Sequence, residues 1–415
     1  MNLVKKISLI IIFTSISVIS CLIVVNRVIA KPDNAIMVNT FDDELNDDED
    51  CSLREAIEAA NENQMVDNCS PGSSSSPDDI YLESGTYLLS QGDLNILSTL
   101  NLHGIDLEST IIDGGNQNRV FDLLSSGTVI SITDITIQNG KTITNTGGGG
   151  GIYVHPGVNL TLENCRIINN ETDSWGGGID NWLGVVEITN CSIQGNSAEQ
   201  GGGIYNDGTL VLINSIIDAN TAEVLGGGLV NSAPGIGKAT IENVTISRNT
   251  SLEYSGSGIY STSPITLTNA TIVHNFGTGA GFYYSGPSNL KNTIIALHGE
   301  SDNCSGDETE LNSYGHNLED KNTCNFDPFG KQDQINVDPL LIGDTPQYNG
   351  GLTQTYALKI NSPAIDNGTN TGCPATDQRG YDRPKDGDGD GTPVCDIGAF
   401  EANKLTILYL PLLYK

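Results

Sequence analysis

Short stretches of alternating apolar and polar residues recur through the middle of the chain. They run from Leu162 to Ile167, Ile188 to Ile193, Leu212 to Ile217, Ile241 to Ile246, Leu267 to Ile272 and Leu290 to Ile295, each reading apolar-x-Asn-small-x-Ile. A weaker copy, Ile132 to Ile137, has Asp134 in the Asn place. The alternation, the Ile, Val and Thr content and the closing Gly or Asn predict short strands, and helical periodicity is absent.

Between these stretches lie glycine blocks: Gly149 to Ile152, Gly176 to Ile179, Gly201 to Ile204, Gly226 to Leu229, Gly256 to Ile259 and Gly279 to Phe282. Their third glycines step by 27, 25, 25, 30 and 23 residues. Parallel strands repeating at that period stack as a coiled sheet, each residue about 4.8 Å from its copy in the next coil. The predicted fold is all-β, a parallel β-helix. Asn164, Asn190, Asn214, Asn243, Asn269 and Asn292 then form a ladder at a bend, where Asn tolerates left-handed backbone and bonds its copies above and below. The next position, Cys165, Cys191, Ser215, Val244, Ala270 and Thr293, stays small, as an inward site in a narrow core requires. Glycine supplies positive φ at the sharp turns. A phosphate loop is excluded, because Gly140-Lys141-Thr142 has Ile135 where that motif needs its first glycine.

The Asn-x-Ala and Gly-Gly-Gly-Ile-Tyr-Asn blocks of Asn196 to Asn206, varied in Asn220 to Asn231, resemble the polymorphic outer membrane protein repeat of bacterial surface β-helices over residues 130–300. The resemblance implies a right-handed helix. Cys51-Ser-Leu-Arg-Glu-Ala-Ile57 resembles the domain of that sequence at the start of exported bacterial β-helix proteins. Ser52 and Glu55 make a capping box, and Leu53, Ala56, Ile57 and Ala60 share one helical face. Such a helix is the lid that an open solenoid end needs, with Arg54 and Glu55 as surface and capping groups.

The divisions are a leader over 1–30, a cap over 31–80, repeats over 81–300, a C-terminal module over 301–404 and an apolar tail over 405–415. The leader has Lys5 and Lys6, an apolar run from Ile7 to Val25 and small residues before Lys31, the pattern of an export signal. An uncleaved anchor and lipidation at Cys21 fit the same residues. Asn361 to Glu401 resembles the choice-of-anchor Q module of secreted and surface bacterial proteins, which implies export and surface attachment and no assigned reaction. The ten apolar residues from Leu405 to Tyr414 cannot span a bilayer as a helix and read as a sorting tail or a last strand. Any membrane association is thus through a terminal anchor.

The net charge of -32 repels nucleic acid and anionic polysaccharide and attracts divalent cations. Beyond the leader, Cys51/Cys69, Cys304/Cys324 and Cys373/Cys395 close local loops and are expected as disulfides of an exported protein, whereas Cys165 and Cys191 on neighbouring coils fit either state. Asp386, Asp388 and Asp390, with Gly391, follow the first half of a calcium loop. Ile397 stands where an EF-hand has Glu, so the closing ligand is Asp396, Glu401 or a residue from elsewhere in the chain. The run Asp42, Asp43, Glu44, Asp47, Asp48, Glu49 and Asp50 is a second acidic candidate, read as solvated.

Catalysis has thin support. A polyuronate lyase needs basic groups, and Arg119, Arg166 and Arg248 are scattered. A glycosidase needs paired carboxylates; Asp180 and Asp207 each follow a Gly-Gly-Gly-Ile block, placed one register step apart. The histidines have no zinc spacing. The stronger signal is aromatic: Trp175 and Trp182 flank one glycine block, and Tyr153, Tyr205, Tyr260 and Tyr283 follow the Ile of others. Trp175, Trp182, Tyr205, Asp180 and Asp207 are therefore the expected ligand-binding set, for a cell-surface glycan or envelope component. The expectation is an extracellular adhesin or scaffold, with a β-helix polysaccharide hydrolase or lyase as the alternative.

Overall fold

The computed structural model describes residues 34–142, 147–232 and 237–404. The expected leader at 1–30 and tail at 405–415 lie outside the described residues. Among those described, four parallel sheets of 11, 6, 9 and 10 strands run side by side, each assembled from one strand per coil. The chain is a parallel β-helix, as the period demanded, with one short helix among the described residues.

Register follows the sequence copies. Ile152, Ile179, Ile204, Leu229, Ile259 and Phe282 pair in succession, one per coil. These side chains point inward and are fully buried, as are Leu160, Leu162, Ile188, Leu212, Ile241 and Leu267 of another sheet. Each contributes roughly 1.5–3 kcal/mol through removal from water. Pairing begins at Ile36 and continues to Glu319, so by hydrogen bonding the coil starts before residue 81 and ends after residue 300.

The bends are held by polar columns. The expected ladder asparagines all have φ between 48° and 56°. Asn190 donates to Asn164, Asn243 to Asn214 and Asn292 to Asn269, each at 3.3 Å. A second and more deeply buried ladder uses the first residue of the Asn-x-Ala block. Asn196 donates to Asn220, Asn220 to Asn249 and Asn249 to Asn275, each at 2.9 Å, and the same amides reach core carbonyls. His298 ends this column in place of an asparagine, its Nδ1 accepting the Asn275 N–H at 3.1 Å.

The glycine blocks divide their labour differently from the expectation. Only the first glycine of a block needs positive φ, for example 66° at Gly176 and 64° at Gly201. The second and third are required by close approach: a Cβ on Gly177 would lie 2.4 Å from the Gly202 oxygen, and one on Gly178 2.7 Å from that of Gly203.

The helix Leu53–Glu62 closes the N-terminal end, with both halves of the Ser52/Glu55 capping box formed. Its buried Leu53, Ala56, Ile57, Ala59 and Ala60 join the solenoid core. Arg54 is not a surface group: it pairs with Asp43 at 2.7 Å and donates to the carbonyls of Gly92 and Asp93, tying the lid to the first coils. Disulfides join Cys51–Cys69, Cys304–Cys324 and Cys373–Cys395. Cys165 and Cys191 are free and buried, the Cys165 N–H lying 3.2 Å from the Cys191 sulfur. Burial, then the neighbouring Cys165, drives the Cys191 thiol well up.

The C-terminal segment folds back along the coil. Gln378 accepts from Thr245 at 2.7 Å, Thr353 donates to the Asn214 carbonyl at 3.0 Å, and the Asp396 and Gly398 carbonyls take the Asn269 amide. At its centre Arg383 and Glu401 form an ion pair at 3.0 Å, 0% and 1% exposed.

Candidate functional site

The aromatic signal gathers on the sheet made by Ile152–Val154, Ile179–Asn181 and Ile204–Asn206. The middle residues of these strands face outward and stack in the order Asp122, Tyr153, Asp180, Tyr205, Val230, Tyr260, Tyr283. The tryptophans flank the central strand, Trp182 directly after it and Trp175 before it across the Gly176–Gly178 corner. Trp175 leans toward the following coil and stacks on Tyr205, centroids 5.2 Å apart at 15°. Trp182 leans toward the preceding coil and stacks on Tyr153, 6.2 Å apart at 14°. Both indoles are 42% exposed, while Tyr153 and Tyr205 are 9% and 8% exposed. Tyr205, expected to meet ligand, therefore backs Trp175 instead. Tyr260 and Tyr283 likewise spend their faces on each other, at 4.7 Å.

Asp180 lies in register between the two tyrosines. It is 2% exposed, and burial, then the charge of Asp207, holds its carboxyl well above the usual range against the opposing pull of Arg119 and the Gly148 N–H. Register corrects the expected one-step offset between the two acids. Asp180 pairs with Tyr205, so Asp207 stands two residues further along, in the bend just past the strand Ile204–Asn206, from where its charge acts on Asp180. Asp207 is half-buried, its carboxyl raised by burial, and its Oδ1 is shielded without a hydrogen-bond donor. The Tyr153 and Tyr205 phenols rise to about 12, through burial and then through Asp180 and Asp207 respectively. Gly148 closes over this group: a Cβ there would fall 2.2 Å from Asp180 Oδ2 and from the Trp175 carbonyl oxygen.

Residue spacing alone did not expose the support beneath Tyr153. Arg119, 2% exposed, lies 5.0 Å from the Tyr153 ring centre, pairs with Asp93 at 3.0 Å and Asp122 at 3.1 Å, and donates to the Gly148 and Gly149 carbonyls. His155 joins through Asp122 at 2.9 Å and packs 4.2 Å from Tyr153. Arg166 and Arg248 stand elsewhere, paired with Glu108 and Asp218. The three arginines form no common anion site.

The expected calcium ligands are only partly brought together. Asp386 and Asp388 converge with Asp366, carboxylate oxygens within 4.8 Å of one another. Asp390 instead accepts from the Thr392 N–H at 2.7 Å, and Asp396 is buried, accepting from the Asp366 N–H at 2.8 Å. Alternation along a strand would have aimed Asp386, Asp388 and Asp390 alike, but here the chain turns, with positive φ at Gly389 and Gly391. The acidic run of the cap forms a further group, Glu44, Asp48 and Asp50, which is not simply solvated: Glu44 Oε1 and Asp50 Oδ1 are shielded without donors.

Residues 120–296 match the family model described as right handed beta helix region. Searches of curated proteins and of solved structures return no match. The matched fold is shared by adhesins and by polysaccharide-degrading enzymes. Disulfides and this fold are compatible with an extracellular protein. Among the described residues no helix is long and apolar enough to cross a membrane.

Proposed function

We propose that this chain is an extracellular or cell-surface β-helix scaffold that binds neutral glycan on the Trp175–Trp182 face. The observation that carries the reading is the pair of exposed indoles, each laid nearly parallel to a buried tyrosine that fixes its tilt. Flat apolar rings held in place before binding are suited to the faces of sugar rings, with little side-chain entropy left to lose. Asp207 and the edges of the phenols offer polar partners to hydroxyl groups.

Hydrolysis of a glycosidic bond is the second reading, favoured by the raised carboxyls of Asp180 and Asp207. Against it, a general acid must reach the leaving oxygen, and Asp180 is covered by Gly148 and the flanking rings. Binding therefore accounts for the site better than turnover. A panel of neutral oligosaccharides on an array is the test: wild type retains some of them, and Trp175→Ala with Trp182→Ala loses them. Retention undiminished by both substitutions defeats the reading. New reducing ends after incubation with the same panel would establish the hydrolase.

We also propose calcium as a structural ion at Asp366, Asp386 and Asp388. Three carboxylates with free lone pairs suit a hard cation, and the Lys404 ammonium, 4.0 Å from Asp386, stands where it can be displaced.

A further inference from the structure

A recess of about 740 Å³ lies on the other side of the coil, where the outer wall meets turns of the C-terminal segment. Its floor is the paired strands Ile265–Thr268 and Ser288–Lys291, presenting Thr266 beside Asn289 and Thr268 beside Lys291. Its rim carries two aromatic rings with no aromatic cover, Tyr314 at 63% exposed and Phe329 at 97%. Phe329 is not on a loose loop. Asp327 Oδ1 accepts the N–H groups of Phe329 at 3.0 Å and Gly330 at 2.8 Å, and the Lys331 carbonyl accepts the His316 N–H at 3.0 Å, pinning the turn to the wall.

The charge of this recess is opposite to that of the chain. In a protein of net charge -32 its lining holds Lys291, Lys331 and His316 and no carboxylate. Lys291 is fixed by the Gly372 carbonyl at 2.6 Å, which orients its ammonium without neutralising it. The His316 Nδ1 donates to the Asn367 carbonyl at 2.8 Å, leaving Nε2 for another partner. Glu242, beside Thr268 in the preceding strand, marks where the acidic surface resumes.

We propose that this groove binds a short segment of a uronate-bearing oligosaccharide. Such a chain has, on each unit, an apolar ring face for Phe329 or Tyr314, hydroxyls for Thr266 and Asn289, and one carboxylate for Lys331 or Lys291. An anion is selected because its charge is satisfied only inside the recess. A long, densely charged polyanion such as nucleic acid would overrun it onto the acidic wall and be repelled. The proposal is independent of the Trp175–Trp182 reading, which concerns a different sheet and an uncharged ligand.

The test is calorimetric titration of the full chain with tetragalacturonate, its methyl ester and a short oligothymidylate. Tetragalacturonate is expected to bind saturably, about tenfold more weakly in Phe329→Ser and in Lys331→Gln, and more weakly as salt rises. The methyl ester and the oligothymidylate are expected to bind at least tenfold more weakly than the acid, and Trp175→Ala is expected to leave the acid's affinity unchanged. Both substitutions are at exposed side chains, so matched thermal unfolding separates lost binding from lost folding. The absence of saturable heat, equal affinity for the ester or the oligothymidylate, or affinity untouched by both groove substitutions overturns the proposal.

Discussion

Asn269 donates its amide to the carbonyl oxygen of Asp396 at 3.0 Å, across 127 positions of sequence. The same amide reaches the Gly398 carbonyl at 3.3 Å, while Asn269 Oδ1 accepts from Asn292 on the next coil. One side chain therefore belongs both to a ladder of the solenoid and to the seam that holds the C-terminal segment against it.

Removing that amide should loosen the seam. Asn269→Ala takes one donor from the Asp396 and Gly398 carbonyls, which keep their bonds to Arg383, and puts a Cβ-bearing residue without a local hydrogen bond at φ 50°, a combined cost of about 2–3 kcal/mol. Asn269→Gly relieves the backbone and loses only the hydrogen bonds of the side-chain amide, so it should fall between alanine and wild type in urea unfolding. Equal stability of all three proteins would show that the seam does not depend on this residue.

The glycine blocks give a sharper contrast. Gly177→Ala forces a Cβ to 2.4 Å from a backbone oxygen of the next coil, which cannot step aside; the expected loss is more than about 3 kcal/mol. At Gly127, with φ 89° and nothing within 4 Å, alanine should cost only about 1–2 kcal/mol of backbone strain. Thermal unfolding of the two variants checks the order.

Stability should decline on both sides of a mildly acidic optimum. His298 is fully buried and its pKa is depressed to about 3, chiefly by burial. The folded protein resists protonating it, so stability present above the unfolded value of about 6.5 is lost as pH falls toward 3. Asp396 is the opposite case, raised to about 8 by burial and then by Glu401. Its contribution is complete below the unfolded value of about 3.9 and is lost as pH rises through 8. His298→Asn should flatten the acid limb and Asp396→Asn the alkaline one in denaturant titrations from pH 4 to 9.

Calcium should raise the unfolding temperature, and chelation should reverse the rise. Asp388→Asn, at an exposed position, should abolish the calcium-dependent increment while barely changing stability in chelator. An unchanged melting curve with and without calcium would remove the ion from the account.

The coil was readable because each inward residue has a copy about 25 positions away, and the spacing alone fixes which strands meet. Ser52 and Glu55 were equally readable, being a local motif with a local purpose. The ligand face was half legible: the tryptophans announced themselves by rarity, but the burial of Tyr205 depends on where Trp175 leans, and no pattern encodes a lean. Asp366 joins Asp386 and Asp388 from the far side of a disulfide-bearing loop, so no spacing rule finds it. The recess at Phe329 was hidden for the same reason, its floor and rim coming from segments that the net charge averages together.

The buried asparagine column has a bearing on how such a chain can change in size. Because every amide from Asn196 to Asn249 is matched to one neighbour on each side, a duplicated coil slots in with all its partners ready. A single residue added within a strand would strand an amide on every level it shifts. Growth or trimming of this molecule should therefore proceed by entire windings, with smaller insertions confined to the connecting turns.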